Sequence, residues 1–329
     1  MTPEKLKRVA YAVHPFLYEG GPGDVEADKI EERIARIRQG LIPEKEFRAM
    51  SSWLGNCLSI CGFDQTPMPK VTGIEAGEMG IPDFLAFVQY KEKVLPVLIE
   101  VKVSEERTLI WSEKYLQSLQ RFARILGLPL LVAWKWQIRW ALVDIAHFEK
   151  KVTAFHLPIE RALEENLMSL LLGEVMYLLT DDVAFVWEAE ILDWQPRENE
   201  LIPPGEHQFR FKGAFFSIGE RKLDEYPKGL PALFFASPQE HEIRKVGGNN
   251  IQVVYKVRPN TTPSITDVLL TELYLRTSGE EIDWDKEIME GPLPESGVFY
   301  RKLLEDGVKQ GFTMYVLHQV PKTMPQFLK

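Results

Sequence analysis

Asp83, Glu100 and Lys102 have the residue types and the spacing for metal-assisted chemistry. Glu100 and Lys102 lie two apart in the apolar run Val94–Val103, so in a strand both side chains leave one face while Val101 leaves the other. A carboxylate and an ammonium on such a strand cost several kcal/mol per ion to bury unless they are paired or bind a metal. Asp83 stands just before a second apolar run, Phe84–Tyr90, joined to the first by Lys91-Glu92-Lys93. In a hairpin, Asp83 comes opposite Glu100 when Tyr90 pairs with Lys93, and opposite Lys102 when Tyr90 pairs with Leu95. Either even loop places all three groups on one face, whereas an odd loop turns Asp83 away.

Two carboxylates and a lysine on one patch suit phosphodiester hydrolysis assisted by Mg²⁺ or Mn²⁺. Mg²⁺ prefers hard oxygen ligands and is usually held by one or two carboxylates, keeping waters for the chemistry. Such an ion lowers the pKa of a bound water and offsets charge growing on the scissile phosphate. Asp83 and Glu100 are the candidate ligands, with the backbone carbonyl of Val101 as an extra one. Lys102 would orient or deprotonate the water, or stabilise the developing charge directly.

The elements that must position these groups follow from periodicity. Asp24 caps an expected helix to about Arg38, and Pro43 opens a second that runs to about Cys61 and stops at Gly62. This second helix would place Cys57 and Cys61 on one face as two small buried residues. Residues 63–79, rich in Pro and Gly, read as a loop. The runs Phe84–Tyr90 and Val94–Val103 read as central strands, followed by a helix from Ser112 to Leu126 facing inward through Leu116, Leu119, Ala123 and Leu126. Gly127 ends it, and Leu128–Trp134 and Ile138–Ile145 give two more strands. Helix–strand–strand–helix–strand–strand is a compact α/β layer. Further on, Pro158–Thr180 reads as one long helix, with Asp181-Asp182 as its polar end. Short strands follow between Phe209 and Val257, with a hairpin turn at Gly247-Gly248-Asn249-Asn250. Helices near Ile265–Arg276 and Gly297–Gln310 precede a last strand, Thr313–Gln319.

With these elements in place, Ile81-Pro82-Asp83-Phe84 and, seventeen residues on from Asp83, Glu100-Val101-Lys102 resemble the PD-(D/E)XK nuclease superfamily, in its archaeal Holliday-junction-resolvase and restriction-endonuclease-like branch. The likeness covers about residues 40–145, ending in the strand Leu128-Pro129-Leu130-Leu131-Val132-Ala133-Trp134-Lys135. It implies a mixed α/β sheet flanked by helices and a divalent-metal-dependent endonuclease acting on nucleic acid, most naturally DNA. It also implies a leading-helix acid, which falls on Glu46 or, as the lesser choice, Glu44. The helix after the central strand would supply a polar residue, for which Tyr115, Gln117 and Gln120 compete. Nucleases of this type often work as dimers, and defence, restriction or mobile-element processing are settings for such an enzyme. The rival reading is a catalytically inactive nuclease-fold scaffold in a larger nucleoprotein complex.

Composition bounds the rest. The chain has 329 residues and a net charge of −9, enough for two domains. We expect a nuclease-like domain over 1–150, with its core at about 40–145, and an acidic α+β accessory domain over 151–329. The first half holds 20 basic and 20 acidic residues and the second 19 and 28, so the whole excess lies in the second. That surface suits a protein partner better than nucleic acid. Between 114 and 143, however, Lys114, Arg121, Arg124, Lys135 and Arg139 occur without any acid. Lys114, Arg121 and Arg124 are the candidate phosphate contacts, although Gln117, Arg121 and Arg124 at helical spacing equally describe a solvated face. Trp134, Trp136 and Trp140, interleaved with Lys135 and Arg139, read as covering a sheet edge or interface rather than stacking on bases. With two cysteines, no leader-like N-terminus and no apolar run near the ~20 residues of a membrane span, a cytoplasmic protein without membrane contact is expected.

Overall fold

A computed structural model describes residues 43–63, 79–194, 205–259, 261–276, 282–284, 286–287 and 296–329. The helix expected from Asp24 and most of the loop at 63–79 lie outside these residues.

Helix α1 (43–54) packs Phe47, Met50 and Leu54 into the core. It is shorter than its apolar stripe suggested, because the chain turns at Gly55 (φ 98°) and continues as strand β1 (Cys57–Gly62). A side chain at Gly55 would have its Cβ 2.4 Å from a Val298 methyl. The i, i+3, i+4 stripe from Phe47 to Cys61 was thus shared between a helix and a strand. Pairing of β1 with the next strand overrides the helical period, leaving Cys57 buried and Cys61 exposed.

Strands β2 (Phe84–Tyr90) and β3 (Lys93–Val103) form the expected antiparallel hairpin. Its turn is the two-residue one, Lys91-Glu92, with Tyr90 paired to Lys93 and Lys91 at φ 53°. After β3 comes a strand absent from the sequence expectation, β4 (Thr108–Ser112), and then helix α2 (Glu113–Leu126). The Ser112 hydroxyl caps α2 by accepting from the Tyr115 amide at 3.2 Å, and Gly127 closes it in the left-handed region. Leu116, Leu119 and Ala123 face inward as expected, but Leu126 is exposed on the last turn. Strands β5 (Leu130–Trp136) and β6 (Arg139–Asp144) complete a five-stranded sheet of order β1-β2-β3-β5-β6. Only β3 and β5 run parallel, because α2 carries the chain back between them.

Alternation along the strands gives this mixed sheet two different faces. Phe84, Ala86, Ile99, Val101, Leu131 and Ala133 meet α1, whereas Leu98, Val132 and Trp134 meet α2. Strands β7 (Glu149–Lys151) and β8 (Ala154–Pro158) join β4 in a small sheet beside α2.

The long helix expected over Pro158–Thr180 does not form. Helix α3 (Ile159–Glu164) is short, a single π turn spans Met168–Leu172, and Met176–Leu179 is strand β9. Asn166 interrupts the helix, its Oδ1 accepting from the amides of Leu142 (2.9 Å) and Met168 (3.1 Å). Asp181-Asp182 is accordingly the turn between β9 and β10 (Val183–Ile191), not a helix end.

Beyond it, β11 (Phe209–Ile218), β12 (Arg221–Lys222), helix α4 (Leu230–Phe235), β13 (Gln239–Gly247) and β14 (Asn250–Val257) follow. The strands make an antiparallel sheet of order β12-β11-β10-β14-β13, with the expected hairpin at Gly248-Asn249. Helices α5 (Ile265–Arg276) and α6 (Gly297–Gln310) occupy their expected spans, and β15 (Thr313–Leu317) pairs with β9. One apolar cluster runs from Phe47 and Ile99 through Leu171 and Val268 to Tyr300 and Leu304, joining the α1 face of the first sheet to the later elements. Among the described residues no helix is long and apolar enough to cross a membrane.

Candidate metal centre

The site is built on the α2 face, where β2 enters and β3 leaves the sheet. Phe84 pairs with Ile99, so the next step of the ladder brings Asp83 opposite Glu100. Asp83 is anchored twice. Its carbonyl accepts from the Phe63 amide at 3.0 Å, and its Oδ2 accepts from the Val101 amide at 2.7 Å. Two residues along β3, Lys102 donates through Nζ to Glu100 Oε1 at 2.5 Å. From α2, the Tyr115 hydroxyl donates to the same oxygen. Glu100 Oε2 is buried and has no hydrogen-bond partner.

The electrostatics are those of crowded acids. Burial, then the charges of Glu100 and Glu44, push the Asp83 carboxyl up to about 7. Burial also raises Glu44, which Lys102 partly offsets and Glu100 reinforces. Lys102 shows the opposite balance: burial disfavours its ammonium, but Glu100 and Tyr115 outweigh this and hold it above the ordinary lysine range. Burial and the neighbouring Glu100 likewise raise the Tyr115 phenol. Glu100 and Tyr115 thus favour the charged form of Lys102.

The residues present fit a hard divalent cation. A buried carboxylate oxygen without a donor, beside a second carboxylate raised by burial and then by like charge, is the environment such an ion relieves. No three His, Cys, Asp or Glu side chains converge to a ready ligand cluster among the described residues. The contact seen for Val101 is made by its amide rather than its carbonyl.

The structure separates the other sequence candidates. Tyr115 reaches the site, whereas Gln117 is exposed and donates to Glu113 Oε1 at 3.0 Å on the solvated side of α2. Lys114, Arg121 and Arg124 are exposed on the same helix, and the carbonyl of Gln120 accepts from Arg124 Nε. Glu46 lies away from Glu100, on the α1 face. Both its oxygens accept from Lys135 Nζ (2.7 and 2.6 Å), and Oε1 also accepts from Trp140 Nε1 at 3.0 Å. Glu44, two residues earlier and about 200° around the helix, is close enough for its charge to bear on Asp83 and Glu100. Trp134 is fully buried and offers no stacking face, and the half-buried Trp136 donates through its indole N–H to the Glu105 carbonyl.

Comparison with solved structures aligns 37% of this chain with 88% of Hjc, a Holliday junction resolvase from the archaeal hyperthermophile Archaeoglobus fulgidus, at 20% identity and a TM-score of 0.26. The chain resembles that resolvase. No family model matches the sequence, and no curated protein matches it.

Proposed function

We propose that the chain is a divalent-metal-dependent endonuclease that hydrolyses phosphodiester bonds in DNA. The observation that carries this reading is the meeting of Asp83, Glu100 and Lys102 at one end of the central hairpin, with Glu100 Oε2 buried and unsatisfied. Asp83 and Glu100 would hold Mg²⁺ or Mn²⁺, joined by Glu44 in place of Glu46, with the Val101 carbonyl as a further ligand. When bound, the ion supplies an activated water and a counter-charge for the scissile phosphate. The chain's own residues do the rest. Lys102 presents a positive charge to the phosphate oxygens. Tyr115 and Lys102 together fix Glu100 through its Oε1, leaving Oε2 for the cation. Lys114, Arg121 and Arg124 on the outer face of α2 would contact the nucleic-acid backbone.

We further propose that the residues beyond 150 form an acidic accessory part facing a protein partner. Pairing of two chains would supply two sites for two strands, in restriction, defence or mobile-element processing. A second reading, a nuclease fold that binds without cutting, is favoured by the absence of a converged three-ligand cluster among the described residues.

One assay separates the two. The protein is incubated with duplex, single-stranded and four-way-junction DNA and with RNA, in Mg²⁺ or Mn²⁺, beside Asp83→Ala and Lys102→Ala. Cleavage lost in both variants is expected. Binding without cleavage supports the scaffold, and cleavage that survives Asp83→Ala sinks the site.

A further inference from the structure

We propose that Glu46, Lys135 and Trp140 form a positioning clamp that sets where helix α1 presents Glu44 to the metal centre. This inference rests on the nuclease reading and deepens it.

The clamp and the site lie back to back across the same end of the five-stranded sheet. Lys102 pairs with Trp134 and Val103 with Lys135 in the parallel β3–β5 ladder. Alternation therefore sends Lys102 to the α2 face and Lys135 to the α1 face. There Lys135 Nζ lies between the two oxygens of Glu46 and 5.8 Å from the centre of the Trp140 ring. The indole of Trp140, on β6, donates to Glu46, and Phe47 packs against it with ring centres 5.1 Å apart. Glu46 is 7% exposed, and both of its oxygens already accept from the Lys135 ammonium, Oε1 from the indole as well.

Near its start, α1 is thus fixed by a doubly bonded ion pair and an indole donor. Glu44 sits only two residues from this anchor. A helix is stiff over so short a distance, so the place of Glu44 follows the place of Glu46. At the other end, Arg301 Nη1 donates to the Leu54 carbonyl at 2.8 Å, so α1 is held at both ends. A ligand residue works only within a narrow tolerance, and groups supporting metal ligands typically change metal affinity about 10–100-fold when removed.

A purely structural ion pair and a positioning clamp differ in one respect. If the clamp acts through Glu44, its removal matters only while Glu44 carries its carboxylate. The test measures Mn²⁺ binding by electron paramagnetic resonance on the full chain, without nucleic acid. It compares Lys135→Met and Trp140→Phe, each with Glu44 present and in a Glu44→Gln background, with Asp83→Ala as the site control. Thermal melting without metal establishes that each variant is folded. Trp140→Phe keeps the ion pair and the ring, so it carries the test if Lys135→Met does not fold.

The expected result is Mn²⁺ binding by the parent that Asp83→Ala abolishes. Trp140→Phe should weaken it about threefold and Lys135→Met about tenfold, and both losses should shrink to less than about twofold in the Glu44→Gln background. Equal weakening in both backgrounds, or none in either, overturns the clamp while leaving the metal centre standing. Absence of Mn²⁺ binding by the parent itself overturns the metal reading, and the clamp with it.

Discussion

The two faces of the first sheet bury charge in opposite ways within one ladder step of each other. On the α1 face, Glu46 has a cation and an indole donor, and both its oxygens are used. On the α2 face, Asp83 and Glu100 stand together under the added field of Glu44, and Glu100 keeps a buried oxygen with no donor. A closed network stabilises a packing arrangement; an open one stores repulsion that a bound cation relieves. The difference teaches that burial of a carboxylate does not by itself mark a site. What sets Glu100 apart from Glu46 is the donor that is missing.

The largest effect expected from this contrast is at Asp83. Asp83→Asn should reduce metal-dependent cleavage by on the order of 10³-fold or more, since it removes a proposed ligand and its charge. The same change should raise the metal-free melting temperature, because one of three crowded acids is gone. Steady-state cleavage and melting scans together check it, and a variant that is both inactive and less stable would break the comparison. Adding Mg²⁺ should stabilise the parent but not the variant.

Next in size is the closed face. Lys135→Met leaves Glu46 buried with only the Trp140 donor and should cost about 3 kcal/mol of folding stability, the usual scale for breaking a buried pair from one side. Glu46→Gln combined with Lys135→Met should recover most of that loss, read from urea midpoints. If the double variant is no better than the single one, the network is not the closed unit described.

A further carboxylate, partly buried, calibrates the two. Glu174 has neutral donors only, accepting from the amide and hydroxyl of Thr266, and burial pushes it up to about 7 from an ordinary 4.5. Its folded pKa lies above its unfolded one, so the stability it contributes is complete below about 4.5 and is lost as pH rises through about 7. The loss is about 3 kcal/mol if that shift is fully expressed. Glu174→Gln should therefore lose less stability than the parent between pH 5 and pH 8 in urea titrations. An unchanged slope would show that Thr266 satisfies the carboxylate as well as a cation does.

Much of this was legible in the sequence, for identifiable reasons. Strand parity needs only a two-residue period, and it is enough to place Asp83, Glu100 and Lys102 on one face, with the Tyr90–Lys93 pairing among the two options. Capping chemistry located α2 through Ser112 and Gly127. Failures came where tertiary partners overrode a local pattern. Pairing with β2 took Cys57–Gly62 from a helical stripe, and Asn166 claimed backbone amides inside an apparent helix. Strand β4 was missed because its partner, β8, is over 40 residues away in the chain.

The smallest expected effect tests the point the sequence left most open, the choice within helical pairs two residues apart. Glu44 and Glu46 are one such pair, Tyr115 and Gln117 the other, and in each the two side chains leave the helix about 200° apart. Only one member of a pair can face a site, and periodicity does not say which until the packing face is known. On α2, Leu116, Leu119 and Ala123 fix that face. Tyr115 then meets Glu100, while Gln117 meets Glu113 in solvent. Tyr115→Phe removes a donor to a proposed metal ligand and should raise the Mg²⁺ needed for half-maximal cleavage about tenfold. Gln117→Ala should change it by less than about twofold, because an exposed i, i+4 contact is worth only about 0.2–0.5 kcal/mol. A metal titration of the two variants side by side decides the matter. Equal effects would mean that α2 turns a different face to the metal from the one it turns to the core.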